Sequence, residues 1–298
     1  MVAIASRSSV ASRENQSDDN LPERPNGSTS ASGGKGAEMT THDLKVVYHE
    51  KFLTDYPTAS CETPDRVACI MGALKGHFEF VEPSPAAEAD ILLVHTQSLI
   101  ESVKDISSIY STALLAAGGA IMASEIAIMG TPCFAAVRPP GHHASPSSHW
   151  GFCFFNNVAV AIERLICAGR INSALILDID LHFGDGTVNF FAGRPDVVVA
   201  NIQDSERESF LANVDQALAI NDYDIVAISA GFDRHIQDWG GTLTTEDYYT
   251  IGASVKAYAH EKCGGRYFGV LEGGYNTEVL GINALAFCKG LSMVLPTV

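Results

Sequence analysis

The sequence predicts an α/β fold: a mainly parallel β-sheet with helices on both faces and a site at the carboxyl ends of the strands. Three observations carry that expectation. Short apolar runs alternate with helical stretches along the chain, as in a parallel sheet joined by crossover helices. The stretch Ser173-Ala-Leu-Ile-Leu-Asp-Ile-Asp-Leu-His-Phe-Gly-Asp-Gly186 opens apolar and ends in polar residues at period-two spacing, which reads as a buried parallel strand with a polar exit. Finally, the residues able to carry chemistry all follow such runs, and open α/β sheets bind ligands there.

Taken in order, residues 1–42 are rich in Ser, Asn, Gly and Arg without apolar periodicity. They are expected to be a disordered leader or tail, and residues 43–298 one folded domain. Lys45–Tyr48 is a first strand. Pro64–Leu74 is a helix with Thr63 as N-cap. Phe78–Val81 and Ala89–His95 read as strands, Gln97–Val103 as a short helix and Ser111–Met129 as a long Ala-rich one. Phe134–Val137 is a strand leading into Arg138-Pro-Pro-Gly-His-His-Ala144. Asn157–Ala168 is a helix ending at Gly169. After the central stretch come strand Val197–Ile202, helix Phe210–Ile220, strand Ile225–Ser229, helix Thr244–Lys262 with a capping signature, strand Tyr267–Leu271 and helix Glu278–Leu295.

Composition narrows the function classes. The formal net charge is −16 over 298 residues, and residues 43–298 hold 30 acids against 15 bases. Such a surface disfavours nucleic acid and favours cationic ligands; its plainer meaning is solubility. The seven cysteines form no C-x-x-C pair, as expected of reduced thiols in a cytoplasmic protein. No apolar run reaches the roughly 18 residues of a membrane span, and no secretory pattern opens the chain.

Asp180, His182 and Asp233 supply two carboxylates and an imidazole. Three such ligands with one open position define a catalytic zinc site. Adjacent His142 and His143 suit proton transfer near neutrality. Asp178 and Asp185 are spare carboxylates able to orient imidazoles. Tyr275, on a Gly273-Gly274 turn, offers a hydroxyl to a developing oxyanion. Together these suit metal-assisted amide hydrolysis. Singly, each has a duller reading as a loop, turn or cap residue.

Arg138-Pro-Pro-Gly-His-His-Ala144, Gly151-Phe-Cys-Phe-Phe-Asn-Asn157, Asp178-Ile-Asp-Leu-His-Phe-Gly-Asp-Gly-Thr187, Ser229-Ala-Gly-Phe-Asp233 and Leu271-Glu-Gly-Gly-Tyr-Asn276 occur in this order. From about residue 45 onward the chain resembles the histone deacetylase and acetylpolyamine amidohydrolase superfamily, with its prokaryotic-type amidohydrolases. The resemblance implies a single-domain, three-layer arginase/deacetylase fold that removes acyl groups from N-acyl amines, small or carried on an exposed lysine. It implies Asp180, His182 and Asp233 as zinc ligands; Fe(II) or Co(II) suit the same donors. His143 would be the general base and acid, oriented by Asp185, and His142 an electrostatic partner to Asp178. Tyr275 would polarise the acyl carbonyl. Gly151, Phe152, Cys153, Gly273 and Gly274 would line the substrate site. A K+ or Na+ would sit beside the zinc on Asp178, Asp180, His182 and Asn201. Oligomers are compatible with all of this.

The chain departs from the family pattern. Phe183 stands where most members have a second histidine. The segment Val198–Phe210 is short, and the aromatic tunnel wall expected there is missing. Between Ile100 and Ser111 only Glu101 and Asp105 are candidates for holding a peptide backbone. A shallower, more open pocket is expected. Two alternatives stand beside the deacylase. A non-catalytic acyl- or metal-binding module would be expected to lack a histidine or the tyrosine. An arginase-like ureohydrolase needs a second metal, and His235 occupies the position where a further carboxylate would be required.

Overall fold

Seven apolar runs become strands of one sheet. The computed structural model describes residues 43–292, so the expectations for residues 1–42 and for a last helix reaching Leu295 lie outside the described residues. In chain order the elements are β1 (Lys45–Val47), a 3-10 turn (Glu50–Leu53), α1 (Asp65–Leu74), β2 (Glu79–Val81), α2 (Glu88–Ile91), α3 (Gln97–Lys104), α4 (Ser107–Ile128), β3 (Cys133–Ala135), α5 (Asn157–Cys167), β4 (Ala174–Asp178), α6 (Asp185–Phe191), β5 (Val197–Asn201), α7 (Arg207–Ala219), β6 (Ile225–Ala230), α8 (Thr245–Lys262), β7 (Tyr267–Leu271) and α9 (Thr277–Leu291). Every pairing is parallel, in the order β2-β1-β3-β7-β6-β4-β5.

The pattern follows from burial. Every residue of β4, β6 and β7 is buried, because helices cover both faces. One layer is α4 and α5, packed on each other and on the sheet; the other is α1, α7, α8 and α9. Truncating a core residue such as Leu177 to Ala would cost about 2–5 kcal/mol. The 22-residue α4 contains a window of mean hydropathy 1.5, but 67% of that window is buried inside the protein. It is a core helix, apolar nearly all round for that reason.

One expectation fails. Ala89–His95 is not a strand: α2 covers Glu88–Ile91 and a turn follows. Asp90 accepts the Ala87 N–H at 3.0 Å and pairs with Arg164 at 2.6 Å. Ile91 and Val94 are buried while Leu92 is exposed, a spacing of three that suits a helical turn. A helix that the sequence reading did not include, α6, starts at Asp185 directly after the polar exit of β4.

The sheet order positions the site. The His142–His143 loop and the segments carrying Asp178–Asp185, Asp233 and Tyr275 leave β3, β4, β6 and β7. These four strands are neighbours in the sheet, so their exits meet at one edge.

Candidate active site

The exit of β4 is wired by its own backbone. Asp178 Oδ1 accepts the Asp180 N–H at 3.1 Å, and Asp180 Oδ1 accepts the His182 N–H at 2.8 Å. Asp180 Oδ2 accepts the Gly273 N–H at 2.7 Å, and Asp233 Oδ1 accepts the Leu181 N–H at 2.9 Å. A Cβ at Gly273 would lie 2.6 Å from Asp180 Oδ2 and 2.7 Å from Asp233 Oδ2, so only glycine lets the β7 exit approach these carboxylates. Donor atoms of Asp180, His182 and Asp233 all lie within 4.8 Å of one another. His182 Nδ1 is 3.1 Å from both Asp180 Oδ1 and Asp233 Oδ2.

This donor set fits a metal. Asp233 Oδ2 is buried and accepts no well-aligned hydrogen bond, despite the nearby His182 nitrogen. Two buried carboxylates around one imidazole push His182 up to about 10 through their hydrogen bonds. Burial and the neighbouring Asp180 push Asp233 up to about 6. Burial opposes ionisation of Asp180 too, but His142 and His182 hold it below the usual carboxylate range. A divalent ion bound here would take over the balancing role of the His182 proton.

The two histidines are held differently. His142 Nδ1 lies 3.1 Å from Asp178 Oδ2. Burial favours neutral His142, yet Asp180 and Asp178 outweigh it and raise its pKa well above the ordinary histidine value. His143 Nδ1 donates to Asp185 Oδ1 at 2.7 Å. Burial and the neighbouring His142 push His143 down to about 4, against the pull of Asp185. Neutral His143 thus keeps its Nε2 lone pair. Gly151, at φ 58°, passes so close that a Cβ would meet His143 Cδ2 at 2.4 Å. Phe152 follows in the same left-handed region, at φ 66°, a strained conformation for a bulky residue.

Tyr275 sits among aromatic rings. Trp239 stacks on it with centroids 4.0 Å apart, and Phe152 meets it edge-on at 6.1 Å. The Arg66 guanidinium lies 5.0 Å from its centroid on another side. Burial, then Asp180 and Asp233, raise the phenol far above its usual pKa, so it stays protonated. Asp238 Oδ2 accepts the Tyr275 and Asn276 N–H groups, each at 2.8 Å.

The missing aromatic wall comes from elsewhere. Trp239, in the loop after β6, also faces His182 at 5.9 Å. Trp150 lies 3.9 Å from the His143 ring and donates its indole N–H to Asp185 Oδ2 at 2.9 Å. Phe183 is exposed. Glu101 is engaged by Lys104 at 3.0 Å on α3. His235 Nε2 is 3.3 Å from Thr245 Oγ1, and its Nδ1 accepts the Gln237 N–H at 3.2 Å, so it adds no ligand to a second metal. Of the atoms expected to hold K+ or Na+, Asp178 O, Asp180 O and Asn201 Oδ1 each accept a hydrogen bond, from Ile202, Arg234 and Gly184 respectively.

Further supporting residues escaped the sequence reading. Buried Glu272 accepts the Gly141 and His142 N–H groups at 2.7 and 3.1 Å, and burial pushes it up to about 7. With His142 and Cys153 it makes a second close donor group, fully buried. Arg66 donates to Gly274 O at 2.5 Å and to Glu272 O. Glu62 binds Arg66 at 3.1 Å and Arg138 at 2.7 Å. Glu62 precedes α1 (Asp65–Leu74), so no helical spacing announced its pairing with Arg66.

Comparison with known proteins shows the family and the fold. A family model described as a histone deacetylase domain matches residues 60–213 and 205–291. The chain belongs to the histone deacetylase family. It is 31% identical over 294 residues to a probable deacetylase of Archaeoglobus fulgidus, covering 78% of this chain and 81% of that one. It is 27% identical over 291 residues to the histone deacetylase-like amidohydrolase of Pseudomonas aeruginosa, covering 79% and 77%. The crystal structure of the HDA15 HD domain superposes with a TM-score of 0.75 at 24% identity, covering 83% of this chain and 89% of that one.

Proposed function

We propose that the protein is a zinc-dependent deacylase of N-acyl amines, acetyl-lysine-like or acetylpolyamine-like. One observation carries the reading: two carboxylates and an imidazole share one corner with two Asp-paired histidines and a half-buried tyrosine. Asp180, His182 and Asp233 would hold a zinc ion, which when bound would supply Lewis acidity for the hydrolysis. His143, neutral and fixed by Asp185, takes the proton from the attacking water at Nε2 and returns it to the departing amine. His142, charged beside Asp178, stabilises negative charge as it builds. Tyr275 donates its hydroxyl to the acyl oxygen, most strongly in the tetrahedral state. Trp150, Phe152 and Trp239 flank the approach with apolar faces suited to an alkyl stem and to a cation above it.

The test is a panel of acyl-lysine peptides and acylpolyamines, assayed on protein of measured metal content. Turnover should vanish with chelation and return with zinc. Asp180→Ala and His182→Ala should lose stoichiometric metal. Zinc retained by both variants, or a zinc-replete wild type inert across the panel, would overturn the reading in favour of a binding module.

A further inference from the structure

Arg234 follows Asp233 in sequence and is 2% exposed. Among the described residues its guanidinium forms no ion pair; backbone carbonyls surround it instead. Nε donates to Asp180 O at 3.1 Å, Nη1 to Asp204 O at 3.0 Å, and Nη2 to Ile202 O at 2.8 Å and Leu181 O at 3.4 Å. The ring of Phe210 lies 4.8 Å away. A buried charge is tolerated only when fully compensated, and here four carbonyl dipoles act together with the fields of the nearby Asp233, Asp180 and Asp178. A cluster of backbone carbonyls is also how proteins replace the hydration shell of a monovalent metal ion.

The carbonyls come from two neighbouring strand exits, residues 180–181 after β4 and 202–204 after β5. One of them, Asp180 O, is among the atoms expected to hold K+ or Na+. Two of the others are also engaged: Asp178 O accepts the Ile202 N–H at 3.0 Å, and Asn201 Oδ1 accepts the Gly184 N–H at 2.8 Å. Asn201 Nδ2 is buried without an acceptor, so that side chain turns a positive edge toward its surroundings.

We propose that Arg234 is the resident cation of this chain. Its guanidinium takes the place of the monovalent ion, ties the Asp180–His182 ligand loop to the exit of β5, and makes the fold independent of K+ and Na+. Arg234 is thus a positioning residue acting through Asp180. The proposal rests on packing and charge alone, so it stands or falls separately from turnover.

The experiment is thermal unfolding and zinc titration of the full chain in potassium chloride and in N-methylglucamine chloride at matched ionic strength. The wild type and Arg234→Lys should melt alike in both salts. Arg234→Met should melt lower in N-methylglucamine and recover with K+. Its zinc affinity should fall about 10–100-fold, as for other groups that orient metal ligands, and return in part with K+. A wild type that gains about 5 °C or more in K+, the size expected for a saturating bound ion, would overturn the proposal. So would an Arg234→Met protein that matches the wild type in N-methylglucamine, or one weakened equally in both salts. If Arg234→Met fails to fold in either salt, the wild-type comparison decides.

Discussion

Tyr275 combines a protonated hydroxyl, a backbone clamped by Asp238 and a ring fixed by Trp239. A ground-state carbonyl needs its hydrogen bond less than an oxyanion does, so its removal belongs in kcat. Tyr275→Phe keeps the ring and its stack. It should bind zinc normally and lose about 10²–10³ in kcat, the usual cost of one oxyanion donor. Wild-type kcat in the metal-replete variant would reduce Tyr275 to a packing residue.

At the scale of elements, the loop after β3 is held by His95, which follows α2. His95 Nδ1 donates to Ser145 O at 3.0 Å, and Nε2 accepts the Asn156 N–H at 2.9 Å at the start of α5. These partners require the neutral ring, and burial pushes His95 down to about 4 from 6.5. The unfolded chain therefore takes up this proton first as pH falls. The contribution is whole above pH 6.5 and fades toward pH 4, to a total of about 3 kcal/mol. Tm measured against pH should fall across that window in the wild type. His95→Gln should start lower at neutral pH and fall less steeply; parallel curves would contradict the assignment.

The same elements mark what sequence can reveal. β4 and the Thr244-capped α8 were legible because their signals are local: an unbroken apolar run, and an Asp247 carboxylate taking the Thr244 N–H at 2.8 Å. The region of α2 was misread because its apolar residues mimic a strand, while Asp90 closes a turn on the Ala87 N–H and also pairs with distant Arg164. The motif residues at strand exits were legible since parallel topology alone brings them together. Arg66, Glu272, Trp150 and Trp239 were not, because their parts depend on which loops meet in space. The surroundings of the expected ion site were hidden for a related reason: carbonyls carry no side-chain signature, and Arg234 donates to one of them.

Over the whole molecule, the excess of acids in residues 43–298 sets a negative field that draws cations. Raising ionic strength from about 0.01 to 0.15 M shortens the screening length from about 30 to about 8 Å. For an acylpolyamine, kcat/KM should fall several-fold over that range, while an uncharged acyl amine should change little. Equal responses would show that the field does not guide substrate.

The chain has two tryptophans. One lies against His143 and the other against Tyr275. Indole emission from this protein is therefore light from the candidate site alone, with no background from the rest of the fold. Loading of metal, arrival of an acyl amine and departure of product can each be followed by fluorescence without a label. Replacing Trp239 with Phe would leave a single reporter on the proton-transfer side, and replacing Trp150 would leave one beside the tyrosine. The two halves of the site can thus be timed separately in a stopped-flow trace.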